Sequence, residues 1–413
     1  MKILWLCNIV LPELLGELRF RGSNYGGWLT GLWDELKKNK TLYQLGICVP
    51  IRNPERAKDG EYEGYKYYSF LTISKESDTT TQDQVSRFCT ILDDFNPDIV
   101  HVWGTEYEHS ASMVKACEKK GIVNRVLINI QGLITFCERL YEYGLPKDIV
   151  IREIQGNSIR NERSVFGQRS ISEKYVLERV KHVIGRTDWD KGCVEEINPS
   201  ICYHRCGEVL RKSFYNNLKW NPEKCNKNSV FISQASYPIK GLHLILDEFV
   251  KLKERYPDFS VRIAGLDLTK MQSSYALYIC ERLVELNLFG NIRFLGSISE
   301  TEMVDEYLRA NVFLSASVIE NSSNSICEAM MLGTPVVTSF VGGTGSVVEH
   351  GKSGLLFPLN EPYIMTHYIR EVFENEKLAI DLSQGGIARA TLFNNRIDIV
   401  NRIETIYAYI FCA

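Results

Sequence analysis

The stretch Val312–Phe357, VFLSASVIENSSNSICEAMMLGTPVVTSFVGGTGSVVEHGKSGLLF, decides the fold of this chain. Its first residues, Val312 to Leu314, form a short apolar run that is typical of a strand buried on both faces. Apolar and small residues then recur at helical spacing from Ile326 to Gly333, which predicts a helix. A second predicted strand, Val336 to Ser339, runs into Gly342-Gly343. This order predicts a strand-helix-strand unit of an open α/β sheet, which binds ligands at the carboxyl ends of its strands.

Two carboxylates flank the predicted start of that helix. Glu320 lies on the loop that leaves the first strand and Glu328 lies about one turn into the helix, so both can reach the same crevice. Between them, the first-turn amides of Asn324, Ser325 and Ile326 have no partner within the helix and carry part of its dipole, which favours a phosphate. Because carboxylates accept hydrogen bonds from sugar hydroxyls, the pattern fits a ligand with a diphosphate between two sugars. A nucleotide sugar has this form.

The motif Glu320-x7-Glu328, followed by AMMLGTPVV, GG and HGKSGLLF, resembles the signature of retaining glycosyltransferases of the GT-B fold, family 4 (group 1). Many members of that family make capsular and cell-surface polysaccharides. The resemblance implies an α/β fold of two Rossmann-like domains, each with a doubly wound parallel sheet, that face a central cleft. It also implies that Glu320 is a catalytic residue on the transferred sugar and that Glu328 contacts the ribose. The alternative is a chance recurrence of two glutamates at this spacing.

Length and composition set the class of protein. A chain of 413 residues is too long for one ordinary domain, so two domains of about 200 residues each are expected. The 45% hydrophobic and 24% charged residues are typical of a globular protein, and a net charge of −3 argues against nucleic-acid binding. The start, MKILWLCNIVL, fits a first buried strand better than a signal peptide. Twelve cysteines without an export signal predict reduced thiols and a cytoplasmic location.

Composition also suggests where the domains end. Residues 1–217 are predicted to form the N-terminal, acceptor-side domain, and the polar segment 218–228, LKWNPEKCNKN, reads as a linker. Residues 229–390 then form the C-terminal, donor-binding domain. The resemblance implies that a last helix, at about 391–413, packs back on the first domain.

Three places in the first domain are candidate binding positions. The resemblance puts the family's N-terminal Gly-Gly loop at Gly26-Gly27, where a tight turn is the alternative. His109, near a predicted helix start, is an acceptor-side candidate, although a lone histidine there is more often structural. Gln131 follows a predicted strand, at a position where many family members carry a histidine that faces the transferred sugar. This difference removes a titratable group and counts against a general base.

In the second domain, Lys240 within QASYPIKG precedes a predicted helix, where an ammonium can meet a diphosphate and assist catalysis. Family members commonly carry an arginine five residues earlier, where this chain has Ala235. Either Lys240 and the helix amides suffice, or another arginine, Arg211 or Arg293, reaches the phosphates. The turn Ser297-Ile298 matches the position where the family holds the nucleobase.

No metal site is predicted. Cys202, His204 and Cys206, with Cys193 upstream, match neither paired C-x2-C spacing nor an H-x3-H pattern. The alternation in ICYHRC instead indicates a strand whose cysteines pack as small hydrophobic residues. No Asp-x-Asp pair lies near the predicted crevice, and the family's same-face attack needs no base, so we expect metal-independent chemistry without a cofactor.

Residues 135–169 are rich in aromatic and basic side chains. In related enzymes this region receives the acceptor, and some of them dock a basic, aromatic face on the inner membrane to reach lipid-linked sugars. Residues 150–191 contain nine basic and six acidic side chains, a modest excess that also fits an ordinary solvated helix face.

The sequence therefore predicts transfer of a hexose-type sugar from a donor such as UDP- or GDP-hexose to a glycan or lipid-linked hydroxyl, with retention of configuration, in cell-surface polysaccharide synthesis. One alternative is a nucleotide-sugar epimerase on the same fold, which would need acid/base groups in the first domain. Gln131 speaks against it. The other is a non-catalytic sugar-nucleotide-binding subunit, suggested by Ala235 and opposed by Glu320, Glu328 and Lys240.

Overall fold

The computed structural model describes residues 1–18, 27–38, 43–72, 78–216, 218–269 and 273–412. The chain divides into two compact units. The first consists of Met1–Phe136, Gly167–Arg211 and Asn395–Ala413, and the second of Cys137–Phe166 and Lys212–Asn394.

The first unit is built on one eight-stranded sheet. Its strands are β1 (Lys2–Leu6), β2 (Gln44–Ile51), β3 (Gly60–Tyr62), β4 (Tyr65–Leu71), β5 (Ile99–Trp103), β6 (Val126–Asn129), β7 (His182–Gly185) and β8 (Cys202–Arg205). Their order is β3-β4-β2-β1-β5-β6-β7-β8, and all neighbours are parallel except β3 and β4. Every residue of β5 is buried, as expected of a strand covered on both faces. The strand order reverses between β1 and β5.

The described α-helices that lie between these strands in the chain are, in order, α1 (Gly27–Lys37), α2 (Asp78–Phe95), α3 (Glu108–Lys119), α4 (Ile134–Glu138), α5 (Lys147–Ile151), α6 (Ile159–Arg179) and α7 (Asp188–Ile197). Thr187 is the N-cap residue of α7: its side chain accepts from the amide of Asp190, and the Asp190 side chain accepts from the amide of Thr187.

The second unit has a six-stranded, all-parallel sheet. Its strands are β9 (Ser229–Ile232), β10 (Ser260–Ala264), β11 (Ile292–Gly296), β12 (Val312–Ser315), β13 (Val336–Ser339) and β14 (Leu355–Phe357), in the order β11-β10-β9-β12-β13-β14. The helices are α8 (Leu246–Arg255), α9 (Ser274–Glu285), α10 (Glu300–Arg309), α11 (Asn324–Leu332), α12 (Thr344–Val347), α13 (Pro362–Glu374) and α14 (Glu376–Phe393). The order reverses between β9 and β12, which confirms the predicted doubly wound sheet.

Two predicted helices differ from the observed ones. The helix predicted after Lys240 begins only at Leu246, because Gly241 takes a left-handed φ of 70° and separates two short 3-10 turns that precede α8. The last helix, implied at about 391–413, is α15 (Arg396–Cys412), because α14 continues to Phe393 and the chain breaks its helix at Asn394-Asn395.

Residues 137–166, which the sequence placed in the first domain, belong to the second unit. Polar contacts account for this placement. The ring nitrogen Nε2 of His243 lies 2.8 Å from the backbone oxygen of Tyr143. Arg152 and Glu281 form an ion pair at 2.7 Å. None of the described helices is long and apolar enough to cross a bilayer.

A buried polar network fixes α15 on the sheet of the first unit. The Tyr407 hydroxyl accepts a hydrogen bond from Nε1 of Trp5 at 3.1 Å and lies 2.7 Å from Nδ1 of His101. All three side chains are fully buried. Because a buried indole N–H without a partner is costly, Tyr407 is the residue that makes this contact between helix and sheet favourable.

We therefore expect Tyr407→Phe to lower the free energy of unfolding by about 1–3 kcal/mol, because Trp5 loses its acceptor inside the core. Urea denaturation at neutral pH would measure the change. Tyr409→Phe, on the same helix but with a side chain that is 53% exposed, is the matched control and should cost little. Equal losses in both variants would show that the buried hydroxyl contributes nothing specific.

Candidate active site

Lys240 and Glu320 meet at the carboxyl edge of the second sheet, where the strand order reverses. Lys240 follows β9 and Glu320 follows β12, and these strands are neighbours. Their side chains form an ion pair at 2.5 Å between Nζ and Oε1, with 18% and 13% of the side-chain surface exposed. The hydroxyl of Ser317 donates to the same Oε1 at 2.7 Å. Both hydrogen bonds fall on one oxygen, so among the described residues Oε2 is left for a ligand.

The loop that carries Glu320 is held from both sides by backbone contacts. On one side, the amide of Val318 donates to the oxygen of Ile239 at 2.7 Å. On the other, the amide of Gly343 donates to the oxygen of Glu320 at 2.9 Å. The loops that follow β9 and β13 thus clamp the loop that follows β12, and the carboxylate is positioned before any ligand arrives.

Two glycines make this clamp possible. Gly241 has a φ of 70°, and a Cβ there would collide with the backbone oxygen of Ala316. Gly342 has a φ of 49°, and a Cβ there would collide with the backbone oxygen of Glu320. The missing side chain of Gly342 is thus used for a close approach of the chain to the Glu320 loop.

The charge of Lys240 is held by its partner. Burial by itself would lower the pKa of this ammonium, but the neighbouring Glu320 carboxylate more than offsets that effect and raises the pKa above its ordinary value. Lys240 therefore stays cationic at neutral pH. The sequence predicted that Lys240 directly precedes a helix. In the structure Lys240 instead lies in the 3-10 turn Pro238–Lys240, some residues before α8.

The amino end of α11 is open in this structure. Ser323 is the N-cap residue, and its side chain makes no capping hydrogen bond. Ser323, Asn324 and Ser325 are partly exposed, whereas Ile326 is buried, so solvent reaches the first residues of the helix. An uncapped helix start of this kind retains its affinity for an anion.

Glu328 is buried one turn into α11, with 4% of its surface exposed. The hydroxyl of Tyr307, on α10, lies 3.2 Å from both Oε2 of Glu328 and the backbone oxygen of Ser325. The sequence did not single out Tyr307. A tyrosine five residues before the apolar strand β12 looks like an ordinary core residue, and only the packing of α10 on α11 shows this contact.

Ser297 and Ile298 follow β11, at the edge of the second sheet. Ser297 is exposed, and Ile298 lines a pocket of about 380 Å³ between β11 and α10. Arg293 lines the same pocket, two strands away from β9 in the sheet order. Ala235 is fully buried beside Gln234, whose side chain accepts from the amide of Ala235 at 3.0 Å.

The first unit places its predicted residues differently. Gly26 lies outside the described residues, and Gly27 is the first residue of α1. Gln131 follows β6 and donates from Nε2 to Oδ1 of Asn129 at 2.9 Å. Its side chain is partly exposed at the carboxyl edge of the sheet.

His109 is a packing residue in this structure. Its ring lies between those of Tyr107 and Phe70, with centroids 5.4 and 5.0 Å away, and only 5% of its surface is exposed. Burial lowers the pKa of His109 to about 3, so the ring is neutral at physiological pH. The structural interpretation of this histidine is therefore favoured over the acceptor-side one.

Glu106 is a candidate functional residue of this unit that the sequence did not single out. It follows β5, and its Oε2 is buried with no hydrogen-bond partner among the described residues. A Cβ on Gly104, which has a φ of 91°, would collide with this oxygen, and a Cβ on Gly132 would lie 3.6 Å from Oε1 of the same side chain. Burial raises the pKa of Glu106 to about 7. Its position after a glycine at a strand end was the available signal.

The basic residues that suggested a membrane-facing surface have partners. Arg163 pairs with Glu138 at 2.7 Å and with Glu142 at 3.1 Å, and Arg152 pairs with Glu281. Arg169 donates to the backbone oxygen of Glu106. The described part of this region therefore gives no support to an uncompensated basic face.

Comparison with known proteins agrees with this geometry. The family model for glycosyl transferases group 1 matches residues 216–389, which cover β9 to β14 and the clamp around Glu320. The D-inositol 3-phosphate glycosyltransferase of Corynebacterium urealyticum is 29% identical over 154 residues, or 35% of this chain and 35% of that protein. The match thus spans about a third of the relative's length.

Solved structures with the same architecture cover the whole chain. Sucrose-phosphate synthase from Thermosynechococcus elongatus has a TM-score of 0.73 at 16% identity, over 100% of this chain and 99% of that one. HepE from Anabaena, solved in complex with UDP and glucose, has a TM-score of 0.67 at 17% identity, over 99% and 100% of the chains. At these identities the likeness establishes the fold, the two parallel-sheet α/β domains of the GT-B type.

The clamp predicts that Gly342→Ala destabilises the second unit by more than backbone strain alone. Gly351→Ala is the matched control, because Gly351 has a φ of 75° but nothing within 4 Å of an added Cβ. We expect about 1–2 kcal/mol for the control and at least about 1 kcal/mol more for Gly342→Ala, measured by chemical denaturation. Faster amide exchange at Val318 and Gly343 should accompany the larger loss. Equal costs would show that the Glu320 loop yields freely.

The raised pKa of Glu106 predicts a pH dependence of stability. The folded state keeps the Glu106 proton up to about pH 7, whereas the unfolded state releases it near pH 4.5, so stability falls as pH rises through this window and is constant above it. Glu106→Gln should remove up to about 3 kcal/mol of that fall. Denaturation at pH 5, 6, 7 and 8 measures it. The partly exposed Glu108 provides the control Glu108→Gln, which should keep the wild-type slope.

Proposed function

Because residues 216–389 match the family model for glycosyl transferases group 1, we propose that this chain transfers a sugar from a nucleotide-sugar donor to an acceptor hydroxyl. The observation that carries the proposal is the Lys240–Glu320 ion pair at the strand-order reversal of the second sheet. Doubly wound sheets bind their ligands at this edge. A cation, a carboxylate with one oxygen available and an uncapped helix start are the groups that a sugar diphosphate needs.

The donor's diphosphate binds at the first turn of α11. As the bond to the transferred sugar breaks, the departing phosphate gains negative charge, and the amides of Asn324, Ser325 and Ile326 stabilise it without reorganising. Lys240 adds a full positive charge, which it shares between this phosphate and Glu320. Proton removal from the acceptor falls to the leaving phosphate, which fits same-face attack and retention of configuration.

The two acids hold the two sugars of the donor. Oε2 of Glu320 accepts from hydroxyls of the transferred sugar while Lys240 and Ser317 keep the carboxylate oriented through Oε1. Glu328 accepts from the ribose, and Tyr307 holds its side chain on α11. Ser297 and Ile298, after β11, are the proposed contacts of the nucleobase.

The acceptor is assigned to the first unit. Glu106 follows β5 and Gln131 follows β6, so both lie at the carboxyl edge of the sheet, where parallel sheets bind ligands. A buried carboxylate oxygen without a partner gains a hydrogen bond when an acceptor hydroxyl donates to it. Gln131 supplies a further donor and acceptor.

Two relatives support a proposal for the finer identity of the substrates. HepE was solved with UDP and glucose, which supports a UDP-hexose donor. The Corynebacterium urealyticum relative is named for a phosphorylated polyol acceptor. We propose a glycan or lipid-linked hydroxyl as the acceptor and cytoplasmic cell-surface polysaccharide synthesis as the setting, without a metal or other cofactor in the reaction.

One observation favours the epimerase alternative. Glu106, with a pKa of about 7, is a titratable group in the first unit of the kind that proton abstraction from a donor requires. Incubation of the chain with UDP-glucose, with and without acceptors, decides between the functions. Acceptor-dependent release of UDP supports transfer, and an epimerised donor in the absence of acceptor supports the alternative. Tight donor binding with neither product supports a non-catalytic subunit.

The two glutamates should separate catalysis from binding. Glu320→Gln should lower the transfer rate by about 10²–10³-fold with donor affinity within a few-fold of wild type, because the donor's diphosphate replaces Glu320 as the anion beside Lys240. Glu328→Gln should weaken donor binding by about tenfold with a smaller effect on the maximal rate. Donor titration and initial rates measure both.

Glu349→Gln is the control for that pair of variants. Glu349 is exposed in the same unit and pairs with Lys352 at its surface. Glu349→Gln should leave the transfer rate and the donor affinity unchanged. Near-normal rates in both Glu320→Gln and Glu328→Gln would remove the assigned roles.

A further inference from the structure

The structure brings together three metal-ligating side chains that are distant from the crevices described above. His182 is the first residue of β7, and Cys202 and His204 are the first and third residues of β8. Their ligand atoms all lie within 4.8 Å of one another. The sequence had grouped Cys202 and His204 with Cys193 and Cys206, a set without a metal-binding pattern. His182, 20 positions upstream of Cys202, was not part of it.

Strand register explains why these three meet. β7 and β8 are parallel neighbours in which His182 is paired with Cys202 and Ile184 with His204. Paired residues of a parallel sheet project from the same face, and so do residues two apart on one strand. His182, Cys202 and His204 therefore share one face by backbone geometry alone.

The distance between the imidazoles fits a common metal ion. Nδ1 of His182 lies 3.2 Å from Nε2 of His204. Two nitrogens bound to one tetrahedral zinc at about 2.0–2.1 Å would be separated by about 3.3 Å. The observed spacing thus allows an ion to enter with only small side-chain movements. Without a metal, the same contact is a hydrogen bond in which the two rings share a proton.

Solvent reaches one side of this group of three side chains, and the other side is buried. His182 is 1% exposed, whereas Cys202 and His204 are partly exposed. The ring of Tyr409, on α15, covers both imidazoles, with centroids 5.8 Å away from each. Three protein ligands leave a fourth coordination position that water can fill from the exposed side.

We propose that His182, Cys202 and His204 bind one zinc ion through two imidazole nitrogens and a thiolate. This donor set suits zinc, which prefers nitrogen and sulfur ligands in a tetrahedral arrangement, and not magnesium or calcium, which prefer oxygen. The site lies at the amino ends of β7 and β8, opposite the carboxyl edge where parallel sheets bind substrates.

The position indicates a structural task. Among the described strands, β8 is the last of its sheet and pairs only with β7. A metal ion bound to both strands would fix this edge strand in register and would stabilise the folded state by the free energy of binding. The site is independent of the proposed glycosyl transfer, because none of its ligands belongs to the donor or acceptor groups.

Metal titration of the full chain tests the proposal. The reduced, metal-stripped protein is titrated with Zn²⁺ against a chromophoric chelator, and separately with Co²⁺ in the absorption spectrometer. We expect one equivalent of tight binding, tetrahedral Co²⁺ bands with a thiolate-to-cobalt charge-transfer band, and a higher Tm with zinc. Cys202→Ser should remove the charge-transfer band, and Cys202→Ser and His204→Gln should each weaken binding at least about tenfold.

Cys206→Ser is the matched control for the thiolate. Cys206 projects from the same face of the chain, is 3% exposed, and donates from Sγ to the backbone oxygen of Ile399 at 3.8 Å. This variant should bind zinc like the wild type. His182→Ala removes a buried ring, so the zinc affinity of this variant is interpreted only if its circular dichroism spectrum matches that of the wild type.

The proposal is overturned by any of three results. They are the absence of saturable zinc binding at micromolar concentrations, cobalt binding without a thiolate band, and a band that persists in Cys202→Ser but disappears in Cys206→Ser. Each is read from metal binding, so none depends on whether the chain transfers a sugar.

Discussion

The ion pair between Lys240 and Glu320 is the contact on which the chemistry of the second unit depends. Both charges are largely buried, and each would be costly without the other. Together they keep a carboxylate oriented and a cation available at the same point. Ser317 adds a hydrogen bond to the oxygen that Lys240 already occupies, so the ligand-binding capacity of Glu320 is confined to the other oxygen.

This pair can exist only because three loops share one small volume. The loops after β9, β12 and β13 are joined by two backbone hydrogen bonds, and the chain passes closest at Gly241 and Gly342, where no side chain would fit. Rigid backbone around a catalytic carboxylate lowers the reorganisation needed during reaction. The amino end of α11, which belongs to the same loop system, remains open because Ser323 does not cap it.

The two sheets reverse their strand order at equivalent positions. In each, the strand order reverses beside the first strand of the unit, between β1 and β5 and between β9 and β12. Chemical groups collect after these strands and their neighbours: Glu106 and Gln131 in the first unit, Lys240 and Glu320 in the second. The groups differ in character, since the first unit presents a carboxylate that retains its proton up to about pH 7, whereas the second presents a charged pair.

The amino-acid sequence by itself determined the two parallel sheets, most strand positions and the pair Glu320 and Glu328, because hydrophobic period, glycines and helix starts are local signals. Tertiary structure alone decided which groups meet. It paired Lys240 with Glu320, enclosed His109 between rings, and set His182 beside Cys202 and His204. It also buried an oxygen of Glu106 without a hydrogen-bond partner among the described residues. These outcomes depend on strand register and loop packing between residues far apart in the chain, and no local pattern specifies a contact between side chains that distant.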